Sequence, residues 1–271
     1  MSQPGARRCD YSEVIEFPRL KAGKLQAQVI ARRYQIAETL ATGKRVLETG
    51  CGVGFGLGSL ASVAKSVTAG DITSSALWQA RGNYVGRSGL RLAQFDAQRL
   101  PFRDRSFDLV IAMAMVYYLD LTEFLEECRR VLQRDGLVFF CSPNPDSPGF
   151  KPSRLSTRYY SVPETVALVR RHGFVPRMFG AFPVRYGGAR IWEWLIAAGA
   201  TMLGKLIPMR TVREGVKDGV RRLIRYSTET IEGELTKSHL AAAQQIALEE
   251  LPPTSRDTDH RILYCIARLS D

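Results

Sequence analysis

The chain has 271 residues, 45% hydrophobic and 24% charged, which suits a globular protein with a full core and excludes a disordered or fibrous chain. Its 38 Lys and Arg against 27 Asp and Glu leave a net charge of +11, open to nucleic acid, an anionic membrane face, an acidic small molecule or plain solubility as its reason. Five scattered cysteines without a C-x-x-C pair argue against a zinc site or disulfide framework, and neither a signal peptide nor an apolar run of about 18 residues is present, so a reducing cytoplasm is the expected compartment.

In chain order, residues 18–42 read as a helix stopped by Gly43, with Ala, Leu and Ile at helical spacing. Strands follow over 45–49, 66–70, 90–95 and 107–113, with a glycine-rich turn and a helix to about Lys65 after the first and a helix over about 74–85 after the second. A helix over 121–132 ends at the turn Arg134-Asp135-Gly136, and Leu137–Ser142 is a fifth strand. Pro163 opens another helix, Gly173 closes it, and 174–182 returns to strand. Residues 184–251 read as almost wholly helical before a last strand over 261–269. Strands alternating with helices imply a doubly wound, mostly parallel sheet. The expectation is an α/β fold with seven strands, the last antiparallel, and a helical insertion before it. Residues 1–183 and 259–271 form its main domain, with 1–43 as an N-terminal helical segment, and 184–258 form the insertion. An insertion that long usually carries specific function.

The chemistry centres on Val46-Leu47-Glu48-Thr49-Gly50-Cys51-Gly52-Val53-Gly54-Phe55-Gly56. A strand runs into alternate glycines and then a helix, where backbone must turn with φ > 0 or let a ligand come close. The dinucleotide fingerprint G-x-G-x-x-G is absent, because Phe55 and Leu57 stand where its third glycine would be. Asp71 lies 23 residues beyond Glu48 at the end of the second strand, where a carboxylate can accept ribose hydroxyls. Asp96-Ala97, Leu100-Pro101-Phe102, Ser106-Phe107-Asp108, Arg130-Val131-Leu132 and Gly136 follow in order.

This set resembles the class I, Rossmann-like S-adenosylmethionine (AdoMet) methyltransferases of type 11. The nearest likeness is to the group with the ubiquinone- and menaquinone-type enzymes and many natural-product and glycan tailoring enzymes. It covers residues 28–180. The resemblance implies AdoMet as cofactor. Glu48, Gly50, Gly52 and Gly54 would lie beneath its methionine part, Asp71 and Ile72 at the ribose, and Asp96 and Ala97 at the adenine. Met113 would offer backbone to the amino acid end, and Arg33 would pair with the methionine carboxylate.

The Glu-His pair and the later His that many relatives carry are replaced here by Tyr117-Tyr118 and Tyr159-Tyr160. The usual histidine bases are missing, so the acceptor is acidic by itself, is deprotonated from the insertion, or is a carbon or nitrogen nucleophile. His239, Tyr117 and Tyr160 are the candidate catalytic groups, with ordinary packing the competing reading of the tyrosines. His172 and His260 read as structural.

The insertion combines the apolar run Ile191–Ile196 with basic residues from Lys205 to Arg225. A cap with a solvated basic face is preferred, and peripheral contact of 191–225 with anionic lipid is the rival. The Ala112-Met113-Ala114-Met115 run lacks the motifs of DNA methyltransferases, so no nucleic acid partner is expected. The reading is methyl transfer from AdoMet to a small-molecule acceptor, apolar or anionic, with no metal. Its alternative is a non-catalytic AdoMet-binding partner or a membrane-peripheral scaffold. A further expectation places 184–251 over the carboxyl ends of the strands as a wall of the acceptor pocket.

Overall fold

The computed structural model describes residues 10–14, 21–184, 228–230 and 235–270. The elements are β1 (Lys21–Gly23), α1 (Lys24–Ala41), β2 (Arg45–Thr49), α2 (Leu57–Val63), β3 (Ser66–Asp71) and α3 (Ser74–Asn83). Next come β4 (Leu90–Gln94), β5 (Phe107–Met113), a 3-10 turn (Val116–Tyr118), α4 (Leu121–Val131), β6 (Leu132–Pro143), α5 (Val162–Arg171) and β7 (Phe174–Pro183). The last are β8 (Thr228–Thr230), α6 (Lys237–Gln244), β9 (Glu249–Leu251) and β10 (His260–Leu269).

The main sheet has eight strands in the order β4-β3-β2-β5-β6-β10-β7-β9. The ladders among β4, β3, β2, β5 and β6 are parallel, and β10 lies antiparallel to both β6 and β7. This is the expected doubly wound α/β sheet with an antiparallel last strand, enlarged by one edge strand. Strand order reverses between β2 and β5, so the turns after these strands open on the crevice where ligands bind in such sheets.

Apolar residues on both faces explain the parallel strands. On one side α1, α2, α3 and α6 bury Ile30, Leu60, Leu77 and Ala243. On the other, α4 and α5 bury Phe124, Leu125, Val166 and Val169. Each large side chain so enclosed contributes about 1.5–3 kcal/mol. Helix starts are chemically marked. Asp120 caps α4 by accepting from Thr122 N at 2.8 Å, and Ser161 with Glu164 forms a capping box on α5. Arg130, near the end of α4, donates to the carbonyls of Leu100 and Phe102, while Glu127 accepts from Leu100 N. The Leu100-Pro101-Phe102 segment is thereby fixed beside the crevice.

Several boundaries correct the sequence reading. The first helix begins at Lys24, because Lys21–Gly23 pairs with Thr228–Thr230. The fifth strand begins at Leu132 and passes through Asp135 at φ 59° with a register shift opposite Phe107 and Leu109. The expected helicity of 184–251 fails at β8 and β9. Thr-Glu-Thr and Glu-Glu-Leu carry no alternation, and become strands only through partners distant in sequence. Arg177 anchors β9 to β7 through two hydrogen bonds to Glu250. The apolar run from Ile191 and the basic stretch to Arg225 lie outside the described residues. In the described part of the expected insertion, α6 packs on α1, and Leu235 N donates to Phe55 O at 2.9 Å.

Candidate functional site

The glycine turn is shaped by backbone conformation. Gly50, Gly52 and Gly54 have φ of 66°, 54° and 83°, a region that L side chains avoid. A Cβ on Gly50 would stand 2.8 Å from Met115 Cγ. On Gly54 it would meet Leu57, Tyr84 and Ala80. Gly54 therefore seats α2 against α3. Gly56, which the glycine pattern does not single out as a site residue, lets the Tyr34 ring lie where a Cβ would be 2.1 Å away.

That ring serves Glu48. Tyr34 Oη donates to Glu48 Oε1 at 2.7 Å inside the protein, and Glu48 Oε2 has no partner among the described residues. Glu48 is only 1% exposed. Burial raises its pKa to about 7, the Tyr34 hydrogen bond and the Arg33 charge pull it down, and Asp71 adds to the rise. An acid so placed changes charge near neutrality. Arg33, from α1, is buried nearby.

Asp71 closes the opposite side of the turn. Its Oδ2 accepts from Gly52 N at 2.9 Å and its Oδ1 from Thr73 N at 2.8 Å. Burial pushes its pKa up and these N–H groups oppose the shift. Each oxygen keeps a further acceptor position beyond those bonds. Asp96 Oδ1 accepts from Gln98 N at 2.9 Å, forming the turn after β4.

A cavity of about 530 Å³ gathers these groups at the carboxyl ends of the strands, within the usual span of small-molecule sites. Arg33, Glu48, Gly50, Gly52, Asp71, Ile72, Asp96, Ala97 and Met113 line it. Three carboxyl groups line one cavity together with Arg33 and Arg99, so these groups, rather than the net charge of +11, set its local field.

Residues 47–140 match the methyltransferase domain family. A protein named a probable S-adenosylmethionine-dependent methyltransferase, from Mycobacterium tuberculosis, is 32% identical over 174 residues, 58% of this chain and 62% of that one. A fatty-acid O-methyltransferase from Mycolicibacterium smegmatis is 36% identical over 112 residues, 40% of each chain. Among solved structures, an S-adenosylmethionine-dependent methyltransferase from Thermotoga maritima superposes with a TM-score of 0.55 at 13% identity, covering 91% of this chain and 95% of that one. Residues 47–140 are thus similar to a methyltransferase domain, and the fold is shared with the Thermotoga maritima structure. It spans about three-fifths of the length of the M. tuberculosis relative.

Not every anticipated site residue reaches the cavity. Gly54 does not line it. His239 stands outside, its Nδ1 close to Thr236 N at 3.2 Å and Thr236 Oγ1 at 3.0 Å as part of its own helix cap. Tyr160 is also outside, under the Arg158 guanidinium at 4.7 Å. Tyr117 does line the cavity and stacks on Tyr159 with ring centres 4.6 Å apart. His260 is buried between Asp257 Oδ1 at 3.0 Å and Glu249 Oε2 at 3.2 Å, a lock between β9 and β10.

Other wall residues escaped the sequence reading. Tyr11 and Val14, ahead of the first helix, line the cavity. Tyr11 N donates to Thr73 Oγ1 and Tyr11 Oη to Tyr118 O, each at 3.2 Å. The short segment 10–14 carries no periodic pattern, so nothing in its composition marks it as a wall. Among the described residues no helix is long and apolar enough to cross a membrane.

Proposed function

We propose that the protein transfers the methyl group of AdoMet to a small-molecule acceptor. The observation that carries this reading is the single cavity joining the glycine turn to Glu48, Asp71 and Asp96. These residues fit the cofactor. The positive φ values at Gly50 and Gly52 let backbone approach a ligand, and the anchored Asp71 carboxylate retains acceptor capacity for a ribose diol. Asp96 would take the adenine amino group, with Ile72, Phe95 and Ala97 as apolar walls. Glu48 and Arg33 would meet the charged amino acid end, and Met113 would offer it backbone.

When bound, AdoMet supplies an electrophilic methyl on a cationic sulfur. The chain's own contribution is to hold the partners in line and exclude water, which can account for much of the rate of such a transfer. Glu48, Asp71 and Asp96 favour a cation in the cavity over a neutral product. Tyr117, a buried lining residue close to Ala114, is the candidate to orient the acceptor. The match to a fatty-acid O-methyltransferase supports an acceptor with an apolar body.

Calorimetry tests the reading. AdoMet and S-adenosylhomocysteine should bind, and NAD should not, because the third dinucleotide glycine is missing. NAD binding as tight as that of AdoMet overturns it.

A further inference from the structure

A second cavity, of about 260 Å³, adjoins the first. One wall is a stripe of α1 bearing Leu25, Val29 and Arg33, four residues apart and so on one helix face. The facing wall is the end of β6, from Cys141 to Pro143, with Ile262 of β10 directly opposite Pro143. Burial deepens from Leu25, 46% exposed at the mouth, through half-buried Val29 and Ile262 to enclosed Cys141 and Tyr117. The Ser142 hydroxyl donates to the Pro143 carbonyl at 3.1 Å, which leaves aliphatic surface to line the middle of the slot.

The inner end meets the first cavity. Arg33, Ala114 and Tyr117 line both. Ala114 has φ 53° and its N–H donates to Cys141 O at 3.2 Å. A non-glycine residue in that region costs on the order of 1–3 kcal/mol and persists where its surroundings over-determine it. Here the strained residue sits at the junction between a cavity edged with carboxylates and one walled with aliphatic groups.

We propose that the slot holds the acyl chain of the acceptor, with the acceptor's head group presented at Ala114 and Tyr117. This deepens the methyltransferase reading and rests on it. The occupant follows from the shape and chemistry together. The slot is walled mostly by aliphatic groups, runs from exposed Leu25 to enclosed Cys141, and shares Arg33, Ala114 and Tyr117 with the cofactor cavity at its inner end. Its polar groups stand at the two ends, exposed Gln26 at the mouth and Arg33 with Tyr117 at the inner end, so a polar or branched sugar would find too few partners along the middle, where polar groups buried without hydrogen bonds are costly.

The experiment uses the full chain and cis-parinaric acid, a fluorescent fatty acid, titrated with and without S-adenosylhomocysteine. Dodecanoate should displace the probe at concentrations at least about tenfold lower than hexanoate, since each added methylene in the slot contributes to affinity. Val29→Trp fills the channel and should weaken parinarate at least about tenfold, while calorimetry finds S-adenosylhomocysteine affinity within about twofold of wild type. Leu25→Trp, at the exposed mouth, keeps the test alive where the Val29 variant fails to fold, and should weaken the probe about threefold. No probe binding by wild type, equal displacement by the two acids, or unchanged affinity in the folded variants overturns the slot. Failure of wild type to bind S-adenosylhomocysteine strikes the cofactor reading instead, and the arm without that ligand still decides the slot.

Discussion

The two walls of the crevice are built on different principles. On the β2–β3 side, the wall is made of backbone and carboxylates: left-handed glycines at 50 and 52, and Asp71 held by two N–H groups. On the other side it is made of aliphatic groups: Val29 of α1 facing Pro143 and Ile262 at the ends of β6 and β10. The first kind of wall constrains residue identity tightly, because only glycine tolerates those dihedrals without strain. The second accepts any aliphatic residue of suitable volume. One wall therefore marks the sequence and the other does not.

The sharpest way to break this contrast is Gly52→Val. A β-branched residue at φ 54° meets a conformational penalty of about 1–2 kcal/mol, and its side chain invades the ligand's approach. AdoMet affinity should fall at least about hundredfold, or roughly 3 kcal/mol, while circular dichroism still reports a folded chain. Parinarate binding in the absence of cofactor should survive. Retained AdoMet affinity would show that the backbone turn is not the recognition element.

A second large effect concerns pH. The Glu48 carboxyl moves from its ordinary 4.5 to about 7 in the folded protein, chiefly through burial. A raised carboxyl pKa means that the folded state holds the proton longer than the unfolded one. Its contribution is present in full below about 4.5 and is lost as pH rises to 7 and beyond. Denaturant unfolding of the ligand-free protein should show stability falling by on the order of 3 kcal/mol between pH 4.5 and 8. Glu48→Gln should flatten that profile, and parallel profiles for the two proteins would refute the assignment. Ionised Glu48 also favours a cationic ligand, so AdoMet affinity should rise through pH 7 while the aliphatic slot stays indifferent.

These outcomes bear on what could be read before the fold was known. Gly50, Gly52, Asp71 and Asp96 were legible because each answers a backbone or charge requirement at a strand end. Gly54 belonged to the same spacing, yet its freedom serves the contact with Leu57 and Tyr84. Gly56 served the Tyr34–Glu48 pair, which depends on a helix residue 14 positions before the acid and leaves no local pattern. Thr228–Thr230 and Glu249–Leu251 were unreadable as strands because their ladders lie with Lys21–Gly23 and Met178–Gly180. His239 suggested a base because it lies in the expected insertion, and in the structure its ring contacts the cap of its own helix.

Asp71→Ala separates anchoring from recognition on the carboxylate wall. The substitution frees Gly52 N and Thr73 N and removes the acceptor offered to the ribose. AdoMet should weaken by about 1.5–3 kcal/mol, the scale of a hydrogen bond to a charged group. Calorimetry with wild type and variant in the same buffer measures it. Unchanged affinity would show that the end of β3 does not face the ligand.

The smallest effect tests whether the N-terminal segment belongs to the carboxylate wall at all. Tyr11 reaches the cavity from outside the sheet and is held at two points, by its N–H on Thr73 Oγ1 and by its hydroxyl on Tyr118 O. Its ring lies 5.3 Å from that of Tyr118 at 51°. Tyr11→Phe removes the hydroxyl contact and keeps the ring. The net worth of such a bond is about 0.5–1.5 kcal/mol, so AdoMet affinity should drop by a factor of about 2 to 12. A rigid wall predicts that the loss appears mainly as faster dissociation, because the segment restrains a ligand already seated. Stopped-flow displacement by S-adenosylhomocysteine reads this directly. An unchanged dissociation rate would detach Tyr11 from the site.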